Sequence, residues 1–204
     1  MAQGYLDKVY AARDPDHTRS LYDDWSGSYD AEVAKNGYAT PGRCAEALAK
    51  YSKDQTQPIL DFGCGTGLSG LALKLAGFAE IDGVDLSQEM LDHARAKRLY
   101  RHLQAIEADA PLPFKQGTYP AIAAIGVIGA GAAPISLLDR LLHALGPGGM
   151  LVFSLNDHAL EDRANEGRIN EWTDCCAAHL LFCEHGPHLP GINLNSNVYV
   201  LEKA

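Results

Sequence analysis

The stretch Leu60-Asp61-Phe62-Gly63-Cys64-Gly65-Thr66-Gly67 decides the fold. It closes a short apolar run that begins at Pro58 and is bounded by turn residues, the pattern of a buried strand. Three glycines then fall within five residues, so the backbone turns sharply and a ligand can approach it without meeting a Cβ. Leu68–Ala76 reads as a helix stopped by Gly77, and its first N–H groups face the same turn. In an open sheet built from such units, ligands bind beyond the carboxyl ends of the strands.

Outward from this unit the pattern repeats. Strands are expected at Ile81–Val84, Leu103–Ala108, Ala121–Val127 and Met150–Leu155. Helices are expected at Gln88–Lys97, capped by Ser87, and at Pro134–Leu145, stopped by Gly146-Pro147-Gly148-Gly149. His158–Cys176 reads as mostly helical with a weak point at Gly167. Leu180–Glu184 and Asn197–Leu201 read as a last strand pair across a Pro/Gly/Asn-rich loop; joined without a helix, they run antiparallel to one another. Ahead of the glycine turn, Thr18–Lys35 reads as a helix with Tyr22, Trp25 and Tyr29 on one face. Thr40, as cap, and Pro41 open a second helix that runs to about Lys53. This alternation implies a doubly wound α/β sheet in one domain over residues 1–204, with 1–55 as a helical cap and 56–204 as a Rossmann-like core.

The composition narrows the partners. Of 204 residues 47% are hydrophobic, enough for a buried core. Lys plus Arg number 17 against 26 Asp plus Glu, and the net charge of -9 repels phosphate backbones, so a nucleic-acid partner is not expected. The five cysteines (Cys44, Cys64, Cys175, Cys176 and Cys183) are odd in number and form no CxxC, which predicts reduced thiols in a cytoplasmic protein and no metal site. Met1–Tyr5 has no basic region followed by an apolar core, so no signal peptide is expected. Pro120–Leu138 is uncharged over a length that can span a bilayer, but Gly126, Gly129, Gly131 and Pro134 make it a buried strand, a tight loop and a helix start, with no membrane partner. The sequence carries no statement of oligomeric state.

The glycine stretch resembles motif I of class I S-adenosylmethionine-dependent methyltransferases. Gly83-Val84-Asp85-Leu86-Ser87 resembles the end of that superfamily's second strand, and Glu107-Ala108-Asp109-Ala110 with Leu112-Pro113-Phe114 its next element. Gly146-Pro147-Gly148-Gly149 resembles the turn before its fifth strand. Leu21-Tyr22-Asp23-Asp24-Trp25, Leu99-Tyr100 and Val198-Tyr199-Val200-Leu201 narrow the likeness to the group that includes the methyltransferase-like 27 proteins. The resemblance implies a mostly parallel seven-stranded sheet with an antiparallel last strand. It implies S-adenosylmethionine as cofactor, S-adenosylhomocysteine as product, and methyl transfer; the narrower likeness implies no substrate, and the acidic charge makes a small-molecule acceptor the expectation. It places Asp61, Gly63, Cys64, Gly65, Thr66 and Gly67 at the methionine end, Asp85 and Leu86 at the ribose, Asp109 and Ala110 at the adenine, and Gly126 beyond the fourth strand. It also favours Trp25 and Tyr29 as a lid over the cofactor, although a helix face turned to the core gives the same stripe. Arg43 is a candidate partner for the methionine carboxylate, or else a surface ion pair.

Two departures from the superfamily stand out. Tyr119-Pro120 replaces the usual aromatic-Asp pair, and Gly126-Val127-Ile128-Gly129-Ala130-Gly131 offers no clear catalytic polar residue. His158, just after the fifth strand, and His185 and His188, between the last strands, are the weak candidates for a catalytic base, each more readily read as ordinary surface. Two other classes compete. A catalytically idle S-adenosylmethionine-binding module fits the glycine-rich segment after the fourth strand. An NAD(P)-dependent oxidoreductase fits Gly65-Thr66-Gly67-Leu68-Ser69-Gly70, a formal GxGxxG, with Asp85 about where a ribose-binding acid should lie; the YxxxK of Tyr199–Lys203 falls in an expected final strand, not on a helix beside a nicotinamide.

Overall fold

The computed structural model describes Ser20, Asp23, residues 25–129 and residues 132–204. Thr18, Tyr22, Ala130 and Gly131 lie outside the described residues. The strands are β1 (Ile59–Phe62), β2 (Ile81–Asp85), β3 (His102–Ala105), β4 (Ala121–Ala124), β5 (Met150–Asn156), β6 (Ala178–Leu189) and β7 (Leu194–Lys203). The helices are α1 (Tyr29–Lys35), α2 (Thr40–Tyr51), α3 (Leu68–Leu75), α4 (Gln88–Lys97), α5 (Leu137–Ala144), α6 (Asp157–Leu160) and α7 (Arg163–Asp174). The strands form one seven-stranded sheet in the order β3-β2-β1-β4-β5-β7-β6. Strands β1 to β5 pair in parallel, and β7 runs antiparallel between β5 and β6. This is the expected Rossmann-like arrangement with its antiparallel last strand. Strand order reverses at β1, which adjoins both β2 and β4, so a crevice opens at the carboxyl ends of these strands.

Alternation along each strand feeds two cores. Leu60, Ile122 and Phe153 pack with Leu138 and Leu141 on one face, while Ile59, Ala121, Ala123 and Val152 pack with Leu48 and Leu73 on the other. Strand β4, buried throughout and free of charge, is the central parallel strand its sequence describes. A third, smaller cluster gathers Trp25 and Val33 with Leu189 and Leu194, and so joins the N-terminal region to the tip of the β6–β7 hairpin.

Several element boundaries differ from the sequence expectation. The helix expected over Thr18–Lys35 is interrupted at residues 26–28, where Ser28 N–H donates to the Trp25 carbonyl at 3.0 Å in a turn. Thr40 is not a cap. It lies inside α2, behind Ala39, and its hydroxyl pairs with His188 Nδ1 at 2.8 Å and Ser196 Oγ at 3.0 Å. The helix expected over His158–Cys176 divides between Leu160 and Arg163, where the Asp162 carboxylate caps Ala164 N; Gly167 sits unbroken within α7. Strand β4 stops at Ala124, ahead of Gly126 with its positive φ of 71°. Strands β6 and β7 continue through most of the segment expected as a loop. Pro187 is tolerated because β6 is the sheet edge, and the register slips beside it. Among the described residues no helix is long and apolar enough to cross a membrane.

Candidate functional site

The glycine turn is moulded onto the end of β2. Gly63 and Cys64 N–H both donate to the Val84 carbonyl, at 2.8 and 3.0 Å. Gly63, at φ 69°, has no room for a side chain, since a Cβ there would lie 2.5 Å from Val127. Gly65, at φ 52°, has open space where its Cβ would stand, so the backbone itself faces the cavity. Asp85, at the end of β2, accepts from Gly65 N–H through Oδ2 at 2.8 Å and from Ser87 N–H through Oδ1 at 2.9 Å. One carboxylate therefore ties the turn to the start of α4, where the Ser87 hydroxyl caps Met90 N. Burial raises the Asp85 carboxyl above its ordinary range, and backbone hydrogen bonds oppose the rise.

Beyond these strand ends lies a cavity of about 270 Å³. Of the residues singled out from sequence, Tyr29, Gly63, Cys64, Gly65, Thr66, Asp85, Leu86, Asp109 and Gly126 line it. Residues not anticipated complete the wall. Met90, Ile106 and Leu137 supply apolar lining, and Tyr38, Pro41 and Ser69 line it as well. Arg140 also lines the cavity, and its guanidinium donates to the carbonyls of Ala108 and Ala110, holding the loop that carries Asp109. No local sequence pattern marks Tyr38 or Arg140, because both reach the site through tertiary packing. Thr66 accepts from Lys97 through its carbonyl at 2.6 Å and donates its hydroxyl to Asp30 at 2.5 Å, so helix α1 is fastened to the turn. Lys97 closes this triangle with a 2.6 Å ion pair to Asp30.

Asp61 stands behind the turn, fully buried. Its Oδ2 accepts from the Ser69 hydroxyl at 2.6 Å and the Tyr100 hydroxyl at 2.7 Å, while Oδ1 is buried with no hydrogen-bond partner. Burial is the main cause that pushes this carboxyl up to about 6; the charge of Asp85 adds to the rise and the two hydroxyls oppose it. Tyr100 is visible in the sequence as part of Leu99-Tyr100, but its partnership with Asp61 is not. Cys64, buried and held well above the ordinary thiol range by burial, fills space under the turn.

Other candidates stand away from the cavity. Gly67, at φ 93°, is the N-cap of α3, and Ala110 contributes its carbonyl to Arg140. Trp25 is 2% exposed, donates its indole N–H to Glu32 at 2.8 Å and meets Tyr29 edge-on at 4.7 Å between centroids. It is a core residue of the cap, and only Tyr29 of the pair reaches the cavity. The Arg43 guanidinium is taken up by the hairpin, donating to the carbonyls of Pro187, Ser196 and Glu184 and pairing with the Glu184 carboxylate at 3.5 Å. Arg43 is not among the cavity-lining residues, and these hairpin bonds are the partners it has in the fold. His185 pairs with Asp157 at 3.0 Å, His158 lies 3.9 Å from Glu161, and His188 is buried against Thr40. None of the three is among the residues that line the cavity. Burial pushes the His188 imidazole down to about 4. Among the described residues no group of three or more His, Cys, Asp or Glu side chains is gathered as a metal site.

The family model described as a methyltransferase domain matches residues 37–196. The chain belongs to this methyltransferase-domain family. It is 34% identical over 142 residues to methyltransferase-like protein 27 of Homo sapiens, covering 67% of this chain and 58% of that one. It is 36% identical over 112 residues to a ubiquinone biosynthesis O-methyltransferase of Xylella fastidiosa, covering 50% and 43%. The matches thus span about half the length of these curated relatives. Among solved structures, a TehB-like S-adenosylmethionine-dependent methyltransferase of Corynebacterium glutamicum superposes with a TM-score of 0.60 over 94% of this chain and 100% of that one, at 19% identity, a likeness of fold. The family gives the oxidoreductase pattern its structural explanation. Tyr199 lies in β7 stacked on Phe153 at 5.0 Å and bonded to Asn197, and Lys203 donates to the Ala177 carbonyl, so the YxxxK belongs to the sheet.

Proposed function

We propose that this protein transfers the methyl group of S-adenosylmethionine to a small-molecule acceptor. The observation that carries the reading is the Asp85 carboxylate, fixed at the cavity wall by Gly65 and Ser87 N–H and placed directly beside the glycine turn. A carboxylate offers about four acceptor positions, so two backbone bonds leave capacity for the paired hydroxyls of a ribose. The apolar lining of Met90, Ile106 and Leu137 suits a flat base, with Asp109 also on the cavity wall to accept from an exocyclic amine. Behind the turn, bonded to the cavity-lining Ser69, Asp61 keeps an orphaned Oδ1 that would suit a cationic amino group brought to it, which would lower the cost of keeping this acid ionised. The residues present therefore fit the cofactor that the family implies.

S-adenosylmethionine, when bound, supplies a methyl group already attached to its leaving group. The chain's part is then to bind, orient and exclude water. The turn and Asp85 fix the position of the nucleoside, and Tyr29 presents an aromatic ring to the cationic end, an attraction of about 0.5–2 kcal/mol. A small acceptor is supported by the net charge of -9 and by a cavity walled on its outer side by Tyr29, Tyr38 and Pro41. The name of the Xylella relative points the same way. Five unpaired cysteines suit a reducing, cytoplasmic setting.

The test is ligand-dependent unfolding followed by turnover. S-adenosylhomocysteine at about 100-fold its dissociation constant is expected to stabilise the protein by about 2.7 kcal/mol, with no effect from NAD. Methyl-labelled S-adenosylmethionine is then incubated with a small-metabolite extract and the label followed into new species. Stabilisation by NAD alone would overturn the reading. Binding of S-adenosylhomocysteine without any label transfer would favour an idle binding module.

A further inference from the structure

We infer that Tyr38 holds the reacting group of the methyl acceptor, and that His188 is the positioning residue that sets its ring; the inference rests on the cofactor reading above. Tyr38 follows α1 in a turn closed by its own N–H on the Val33 carbonyl at 3.2 Å. Its ring lines the cavity, and its hydroxyl oxygen lies 2.6 Å from where a Cβ on Gly126 would stand. Gly126 is pinned just beyond β4 by its N–H on the Ser154 hydroxyl at 3.0 Å. The phenol oxygen therefore sits beside Gly126, just beyond the end of β4. With the ribose at Asp85 and the amino-acid end at the turn, the sulfur and its methyl group lie between them, and the acceptor approaches from the Tyr38 side.

The ring is held from behind. His188 meets it edge-on, with centroids 5.2 Å apart and an interplanar angle of 79°. His188 is in turn fixed by Thr40 Oγ1 on its Nδ1 at 2.8 Å, by Ser196 Oγ on Thr40 at 3.0 Å, and by its own carbonyl on Ala39 N–H at 3.0 Å. Arg43 closes the chain at Ser196 Oγ, 3.2 Å away. This buried polar train, which cofactor binding does not use, ends on the one face of Tyr38 turned away from the cavity. Such support limits the rotamers of the phenol, the property that orientation of a reacting group requires. Tyr38, Pro41 and Leu68 also form the wall between the cavity and an outer depression between α1, α2 and α3, so an acceptor entering there passes the phenol. A phenol both donates and accepts. It can therefore take the N–H or O–H of an amine or hydroxyl acceptor and turn that group's lone pair toward the methyl carbon.

The test compares two ligands that share the nucleoside and amino-acid ends. S-adenosylhomocysteine has nothing at the methyl position, whereas sinefungin carries an amine there. Tyr38→Phe is expected to leave the S-adenosylhomocysteine affinity within about two-fold of the parent and to weaken sinefungin about ten-fold, the worth of one hydrogen bond to a charged group. His188→Asn, with the fold verified by retained S-adenosylhomocysteine binding, is expected to lose part of the same discrimination. Equal loss for both ligands, or no loss for either, in Tyr38→Phe would overturn the assignment. Undiminished discrimination in His188→Asn would remove the positioning role alone. Failure of the parent protein to bind either ligand would instead bring down the cofactor reading, a result distinct from each of these.

Discussion

Asp61 couples the stability of the protein to pH through one identifiable group. Its carboxyl titrates near 3.8 in an exposed chain and at about 6 in the fold, chiefly because burial disfavours the charged form. The folded state therefore binds the proton more tightly than the unfolded state. The stability this proton supplies is fully present below pH 3.8, declines as pH rises through about 6, and is absent above it. At about 1.4 kcal/mol per pH unit, the interval corresponds to about 3 kcal/mol. Asp61→Asn removes the titration, keeps an acceptor for Ser69 or Tyr100, and leaves the packing volume unchanged. The difference in unfolding free energy between the Asp61→Asn variant and its parent should therefore drift in favour of the variant by about 2.5 kcal/mol between pH 4 and pH 8, the rest of the interval lying below pH 4. The fixed cost of the substitution cancels in that drift. Urea denaturation at intervals of half a pH unit, with the slope of the transition checked for constancy, measures it. Parallel pH profiles for the two proteins would refute the account of a costly, half-satisfied acid. A cationic amino group near Oδ1 would favour the ionised carboxyl, so S-adenosylhomocysteine affinity is expected to rise across the same interval in the parent and to stay flat in Asp61→Asn.

Three further outcomes follow from the same geometry. Asp85→Asn replaces a charged acceptor shared by two backbone N–H groups, so S-adenosylhomocysteine should weaken by about 1.5–3 kcal/mol while the melting temperature also falls; calorimetric titration and thermal unfolding separate the two effects. Trp25→Ala empties a core position 2% exposed and is expected to cost about 3–5 kcal/mol of stability, with equal losses of affinity for S-adenosylmethionine and S-adenosylhomocysteine; a selective loss for the former would restore contact with the sulfonium. Arg43→Ala strips the donors that grip the β6–β7 hairpin, so chemical denaturation should show a less stable protein whose S-adenosylhomocysteine affinity at saturation of the folded state is unchanged; a selective affinity loss would return Arg43 to the cofactor.

What is legible in the sequence is legible for local reasons. The strand, turn and helix around Gly63–Gly67 are written in consecutive residues, because a buried strand needs an apolar run and this turn needs positive φ at fixed positions. Asp85 and Asp109 follow from strand ends whose periodicity is clear, and the cavity does collect both. The same logic explains what consecutive residues do not show. Trp25 and Tyr29 share a helical stripe on paper, yet the break at residues 26–28 separates their fates, and nothing within that segment says that Leu189 and Leu194 will arrive to bury the indole. Arg43 reads as an anion partner because its true partners are carbonyls of Pro187 and Ser196, about 150 residues away. The edge strand β6 reads as half its length because Gly186 and Pro187 signal a loop, a signal that an edge with solvent-facing N–H groups can override.

The division between readable and unreadable residues matches a division of labour in the site. On the proposed reading the nucleoside end would be held by backbone N–H groups, a carboxylate and a strand terminus, all set by short-range geometry. The acceptor end is assembled from a turn after α1, the residue beyond β4, and a hairpin tip that supplies His188 and the third hydrophobic cluster. Each of those pieces comes from a different part of the chain, and they are joined by contacts across more than a hundred residues, such as Thr40 to His188 and Ser196. Substitution in the hairpin can therefore move Tyr38 without touching Asp85 or the glycine turn. If the Tyr38 and His188 assignments hold, cofactor binding and acceptor choice are separable in this architecture because different stretches of sequence build them, with the hairpin, through His188, as the lever on the second.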